Sequence, residues 1–276
     1  MVQSKPTHPK SVATKVSVFL IARNEAARLP RTLAALSWAD QLVLVDSGSS
    51  DRTVEIAREA GAEVHYRDWT GYGAQKVFAE GLCRNDWVLN VDADEVVTPE
   101  LAAEIRGAVS GSPCAWNVRI LNVYPGDERP RPFANDYNVV RFYHRAVAGY
   151  RDHPLFDRVE LRGNGQPRQL SAVIHHFALT SLAHFVDKEN RYTSYAAETA
   201  APRSRLGLIV RLPFEMPLAF LKFYFLRRHI FGGWKGFVFA LSAAFARTLR
   251  IAKILERQDL SKIDHDNSVD TPDAKS

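Results

Sequence analysis

The sequence predicts an α/β fold with a mostly parallel sheet, and three observations lead there. Strand and helix signals alternate over the first hundred residues, the strand segments are unbroken apolar runs, and successive runs end in polar clusters. Alternation at this spacing builds right-handed βαβ units, and continuous apolar runs suit strands covered on both faces. In such open sheets, ligands collect beyond the carboxyl ends of the strands.

The elements follow in order. Lys15 to Ala22 (KVSVFLIA) is the first strand, and a helix over Leu29 to Ser37 has Pro30 suited to its first turn. Gln41 to Val45 is the second strand. The polar turn from Asp46 to Asp51 (DSGSSD) opens a helix over Arg52 to Ala60, with Ser50 or Asp51 as its cap and Gly61 as its stop. Ala62 to His65 is the third strand, Gly73 to Leu82 the third helix and Trp87 to Val91 the fourth strand. After Glu95 the pattern changes. A helix is predicted at Pro99 to Val109, and strands at Ala115 to Asn122, Asn138 to Tyr143, Val159 to Leu161 and Ala172 to His176, with a Pro- and Arg-rich loop over 124–133. From Leu182 the chain reads as helix, one long element to Thr199 and two more after Pro202.

The implied organisation is a polar, disordered tail at 1–14, an α/β domain at 15–180, a helical extension at 181–257 and a second disordered tail at 258–276. Within the α/β domain, 15–97 is the ligand-binding half and 98–180 the second half. The first tail lacks an apolar core segment and is not expected to be a secretory signal. Two cysteines, Cys83 and Cys114, are too few for a disulfide framework, so a reducing compartment is expected and both thiols read as inert.

The formal charge of +5 is unevenly spread. Between Ala201 and Arg257, eleven Lys or Arg stand against two Glu, interleaved with ten aromatic residues, and the longest charge-free run is Gly236 to Ala246. That run is too short to cross a bilayer, which takes about 20 residues. Basic and bulky apolar residues together fit an anionic membrane surface; an ordinary helical subdomain with an aromatic core is the other reading. Nucleic acid is not an expected partner, since no recognised binding fold accompanies the basic stretch.

Asp92, Asp94 and Glu95 close the fourth strand, Asp46 and Ser47 the second, and Arg23, Asn24 and Glu25 the first. Sheet geometry brings these ends to one rim. Paired carboxylates there suit Mg²⁺ or Mn²⁺ shared with substrate phosphates. No glycine-rich dinucleotide fingerprint follows the first strand and P-loop spacing is absent, which argues against both sites. Lys76 is either a cation for a diphosphate or an exposed helix lysine.

Ala22 to Glu25 (ARNE), Val45 to Thr53 (VDSGSSDRT), Trp69 to Lys76 (WTGYGAQK) and Asp86 to Glu95 (DWVLNVDADE) together resemble the inverting family 2 glycosyltransferases of the GT-A fold. The branch most similar is that of lipopolysaccharide core β-glucosyltransferases; Asp152 to Val159, His175, Lys188 to Tyr192 and Gly233 to Phe237 extend the likeness over about residues 15 to 256.

The resemblance implies transfer of a hexose, glucose first, from a UDP-sugar to a lipopolysaccharide core or other glycan or lipid-linked acceptor, with a divalent cation (Mg²⁺ or Mn²⁺) as cofactor. A polyprenyl-phosphate glycosyltransferase and a catalytically silent sugar-nucleotide-binding scaffold are the alternatives. Asn24, Glu25, Asp46, Ser47, Lys76 and Asp92 would bind the donor, and Asp94 with Asp92 the metal. Asp157 would be the base, with His153 or Asp152 as substitutes, because Leu155 to Asp157 stands where the branch commonly has Val-His-Glu. Arg141, His153, His175, Lys188 and Arg191 are candidate acceptor or phosphate contacts, His175 being also readable as a structural strand-end histidine. The implied location is cytoplasmic, peripheral on the inner face of the bacterial cytoplasmic membrane.

Overall fold

The computed structural model describes residues 15–134, 136–152 and 157–269. The tail at 1–14, and His153, Leu155 and Phe156, lie outside the described residues. Strands β1 (Val16–Ala22), β2 (Gln41–Asp46), β3 (Glu63–Tyr66) and β4 (Trp87–Asn90) alternate with helices α1 (Leu29–Ala34), α2 (Thr53–Glu59) and α3 (Tyr72–Gly81). All four strands run parallel, in the order β3, β2, β1, β4.

The second half contributes β5 (Glu95–Val97), α4 (Pro99–Ala108), β6 (Ala115–Asn122), β7 (Asp136–His144), β8 (Ala148–Tyr150), β9 (Val159–Leu161) and β10 (Arg168–His176). The sheet continues from β4 through β7, β6 and β10 to β5. β7 is antiparallel to both neighbours, β10 is parallel to β6, and β5 is antiparallel to β10. β8 and β9 form a separate pair. The sheet is therefore wholly parallel over the first four strands and mixed beyond them.

Alternation along β1 explains why its whole run is apolar. Val18 and Leu20 join one core with Leu33, Leu89 and Leu101, while Phe19 joins the other with Val43, Val88 and Ala79. Leu20, Leu44 and Leu89 are completely buried, each worth about 1.5–3 kcal/mol relative to exposure. Thr98 caps α4 by accepting a hydrogen bond from Leu101 N, with Pro99 in the first turn.

Three local expectations change. β5 and β8 are additional strands of three residues each, too short to carry a period of two; β5 exists through its pairing with β10. At α2 the capping position is Arg52, without a side-chain cap, while Asp51 accepts from Thr53 N and Ala26 N and so ties two loops together. The helix expected to end at 257 runs on through Val269, since neither Gly nor Pro interrupts 237–269.

The chain divides into two compact units, the first comprising the described residues of 15–122 and 136–178, the second those of 123–134 and 179–269. The second unit contains α5 (Leu182–Glu198), α6 (Arg205–Leu221), a π turn (Lys222–Leu226), a 3-10 turn (His229–Gly232) and α7 (Gly233–Val269). Residues 123–134 belong here because Arg131 donates to the Arg227 carbonyl at 2.9 Å, Lys235 to the Pro125 carbonyl at 2.9 Å and to Asp127. Buried Glu215 joins Arg211 and Arg247 at 2.7 and 2.6 Å. Among the described residues, no helix is long and apolar enough to cross a membrane.

Candidate functional site

The strand ends of the first unit meet as the sequence predicts, but the side chains divide the work differently. The loops after β1 and β2 are stitched together: Asn24 Oδ1 accepts from Ser50 N at 2.8 Å, and Asn24 N donates to Ser49 Oγ at 2.9 Å. Asn24 holds a left-handed φ of 57°, a conformation asparagine tolerates better than most residues. Asp46 accepts from Gly48 N and Ser49 N at 3.0 Å each, and Ser47 Oγ accepts from Gln75 Nε2 at 2.9 Å. These residues shape a rigid polar wall.

Asp92 is the junction of a buried network. Lys76 Nζ lies 3.0 Å from its Oδ1 and 2.7 Å from Asp157 Oδ2. Arg141 reaches Asp92 Oδ2 at 2.7 Å and Glu95 Oε1 at 2.9 Å, and also donates to Asn90 Oδ1. Tyr150 adds its hydroxyl to Asn90 Oδ1 at 2.7 Å. Burial alone would raise the Asp92 pKa; Arg141 and Lys76 outweigh it and hold the carboxyl well below the usual range. Burial likewise pulls on Lys76, yet Asp92 foremost among its neighbours keeps the ammonium above the ordinary lysine value.

Two of the predicted residues lie inside this network. Lys76 is 1% exposed and paired with two carboxylates, so it is not an exposed helix lysine. Arg141, predicted as an acceptor or phosphate contact, is buried at 6% exposure and ties Asn90, Asp92 and Glu95 together. Both pairings have one cause: buried cations take up the nearest carboxylates rather than remain unpaired.

Asp94 faces the other way. Its Oδ2 lies 3.1 Å from Arg28 Nη1 and 3.4 Å from His176 Nε2, while Arg28 grips Glu25 through Nε at 2.7 Å and Nη2 at 2.6 Å. Glu25, predicted to face a nucleoside, is thereby engaged by its own loop. His176 Nδ1 meets Asn122 Oδ1 at 3.0 Å and Tyr137 Oη at 3.2 Å, which leaves Nε2 to face Asp94. Burial lowers the His176 pKa, but Asp94 more than compensates and raises it. The histidine beside the acidic pair is thus His176, not His175. A strand alternates faces, so a shift of one residue in β10 exchanges the two rings.

The donor set is suited to a divalent cation. Among the described residues, Glu25, Asp92, Asp94 and Glu95 with Asp157 are paired to Arg28, Lys76 and Arg141, five carboxyls against three fixed cations. Among the described residues, no three His, Cys, Asp or Glu converge as a protein-only cage. Mg²⁺ and Mn²⁺ bind through few protein ligands when substrate phosphates complete the shell. Asp94 with His176 supplies such a partial set, with the imidazole oriented from behind by Asn122. Asp92, with both oxygens engaged, is the weaker ligand.

Lys188 and Arg191 lie on α5, in the second unit. Asp157 is half-exposed beside Lys76, and Asp152 is exposed. Cys83 is buried and burial pushes its thiol up to about 12, as an inert role requires. Arg28, Asn90, Tyr150 and His176 were not singled out from sequence; only their places in or beside strand ends could have flagged them.

A family model described as Glycosyl transferase family 2 matches residues 17–180. An uncharacterised glycosyltransferase of Rickettsia prowazekii (strain Madrid E) is 36% identical over 260 residues, spanning 90% of this chain and 88% of the relative. The lipopolysaccharide core biosynthesis glycosyltransferase LpsC of Rhizobium meliloti (strain 1021) is 28% identical over 254 residues, 89% of this chain and 93% of LpsC. Among solved structures, S. aureus TarS 1-349 is similar with a TM-score of 0.44 and 16% identity, over 90% of this chain and 92% of that one.

Proposed function

Since this chain belongs to glycosyltransferase family 2, we propose that its GT-A-type sheet carries an inverting transfer of a hexose, glucose in our reading, from a UDP-sugar to a lipopolysaccharide core or another glycan or lipid-linked acceptor. The likeness to LpsC supports the choice of acceptor class. One juxtaposition carries the reading: Asp157, on the segment after β8, is held by Lys76 to Asp92, two residues from the Asp94–His176 pair.

In this proposal Asp94 and His176 hold a divalent cation, Mn²⁺ or Mg²⁺, together with the donor diphosphate. When bound, the cation supplies neutralising charge for the departing nucleoside diphosphate. The wall of Asn24, Asp46 and Ser47 receives the nucleoside. Asp157 takes the proton of the acceptor hydroxyl as its oxygen bonds to the anomeric carbon. The bond from that carbon to the diphosphate oxygen breaks on the opposite face, its electron pair leaving with the diphosphate, so configuration inverts without a covalent enzyme intermediate. Lys76 is a positioning residue that fixes Asp157 against Asp92. We place the chemistry at the inner face of the cytoplasmic membrane, with the chain attached peripherally.

The test is transfer or slow donor hydrolysis from UDP-glucose with Mn²⁺, abolished in Asp94→Ala and Asp157→Ala. Tight donor binding without turnover over a broad acceptor panel would instead identify a silent scaffold.

A further inference from the structure

The second unit carries an apolar surface that no part of its own core covers. Along α6 and the π turn, Leu206, Val210, Phe214, Leu218, Leu221 and Phe225 recur at steps of three or four residues and so share one face. All six are exposed, from 49% at Leu221 to 71% at Leu206. The opposite face is the buried one, through Leu208, Glu215 and Ala219. An α-helix that is apolar on its core side ordinarily presents charge to water; α6 presents leucine and phenylalanine. On α7, Trp234, Phe237, Leu241 and Phe245 repeat the pattern, with Trp234 at 72% exposure. An exposed apolar area of this extent marks an interaction surface.

The charges around it select the partner. Arg203 and Arg205 stand at the start of α6, and Lys222, Arg227 and Arg228 at the turn into α7. The only carboxylate between residues 201 and 255 is Glu215, which is buried between Arg211 and Arg247. The α6 stripe and the turn into α7 therefore carry no exposed acid of their own, while Asp187 shares a cavity with Leu241 and Phe245 of α7 and Asp259 pairs with Arg205 at 2.6 Å. A second copy of the chain docked face to face would bring like charges together, whereas lipid phosphates complement them.

We infer that this face of the second unit docks on an anionic bilayer, with α6 lying in the plane of the interface. Phe214 and Leu218 enter the acyl boundary, and Lys222, Arg227 and Arg228 meet the headgroup phosphates. At 1.5 Å per residue, the 17 residues of α6 would lie along roughly 25 Å of membrane. The inference names the surface behind the peripheral attachment proposed above, and it does not depend on the donor or acceptor.

The experiment is flotation of the full chain with vesicles of phosphatidylcholine alone or mixed with phosphatidylglycerol, at low and high salt. Binding is expected only to the anionic vesicles and to weaken with salt. Val210→Gln, Phe214→Gln and Leu218→Gln combined should lower vesicle affinity about tenfold or more, with an unchanged far-UV circular dichroism spectrum. Lys222→Glu with Arg227→Glu should do the same through charge, and serves if the first variant misfolds. Failure of the unmodified chain to float at low salt, or unaltered binding by both variants, would overturn the inference. So would an oligomer that the apolar variant converts to monomer while vesicle binding persists, since the occupant would then be a second copy. Vesicle binding without any UDP-sugar turnover would leave this surface standing and remove the proposed function.

Discussion

Lys76 Nζ lies 2.7 Å from Asp157 Oδ2 across 81 residues of sequence, and its second carboxylate partner is Asp92 at 3.0 Å. A single buried ammonium thus joins the acidic end of β4 to the candidate base from the second half of the sheet. Removing it leaves Asp157 without this cation and Asp92 with Arg141 alone. Lys76→Met should cost about 3 kcal/mol of stability, toward the lower end for a broken buried pair because Asp157 keeps contact with water. Asp157→Asn should cost under about 1 kcal/mol, as expected for a half-exposed partner, yet reduce transfer by about 10²-fold or more. Urea titrations alongside turnover measure the split; equal stability losses in the two variants would contradict the assigned roles.

Arg141 is the second cation of that junction, and its fork reaches Asn90, Asp92 and Glu95 at once. Lysine keeps the charge but cannot reproduce three directed contacts. Arg141→Lys is expected to lose about 2 kcal/mol by chemical denaturation, and donor affinity should fall with it because Asp92 loses its fixed orientation. Unchanged stability would mean that the guanidinium serves only as a charge.

The strand ends were legible in sequence because an apolar run followed by acids is a local pattern. Which acid meets which cation was not legible. Asp92 and Asp94 look equivalent at a spacing of two, yet Arg141 from β7 and Lys76 from α3 claim the first, and Arg28 with His176 claims the second. Those partners come from elements 46 or more residues distant, apart from Lys76, and are set by pairing register. β5 was missed for the same reason: three residues carry no period, and only β10 makes them a strand. Glu95 accordingly points into the core as a fully buried acid instead of joining an open acidic turn.

His176, rather than His175, is the expected metal ligand beside Asp94. His176→Gln should weaken Mn²⁺ binding about tenfold or more, read by titration with the metal and UDP and without any turnover. His175→Gln should leave that affinity within about twofold, because adjacent strand residues point to opposite faces. The reverse ranking would place the wrong ring at the site.

His229 gives the second unit a pH dependence. Burial, with Arg131 and Arg227 beside it, holds the ring at about 4, below its ordinary 6.5. Tyr124 donates its hydroxyl to Nδ1 at 2.6 Å while accepting from Arg131 Nε at 3.0 Å, an arrangement that needs the neutral ring. Because the folded value is depressed, the contribution is complete above about pH 6.5 and is lost as pH falls toward 4. His229→Gln keeps an acceptor without the titration. Its melting temperature should decline less than that of the unmodified chain between those limits; parallel curves would exclude His229 as a source of acid sensitivity.

The turn beside His229 depends on a close approach at Gly236. A Cβ at that position would lie 1.8 Å from the His229 carbonyl oxygen and 2.9 Å from its carbon, both backbone atoms that cannot rotate away. Gly236→Ala therefore has to displace the 3-10 turn from α7, at a cost of about 3 kcal/mol. Gly81, at the last position of α3, meets nothing within 4 Å, and Gly81→Ala should instead be neutral or stabilising by up to about 1 kcal/mol. Denaturation of both variants separates steric contact from a general intolerance of glycine replacement. Arg227 and Arg228 directly precede that turn, so loss of vesicle binding in Gly236→Ala, at temperatures where the chain remains folded, would tie the lipid-facing cations to the backbone contact that positions them.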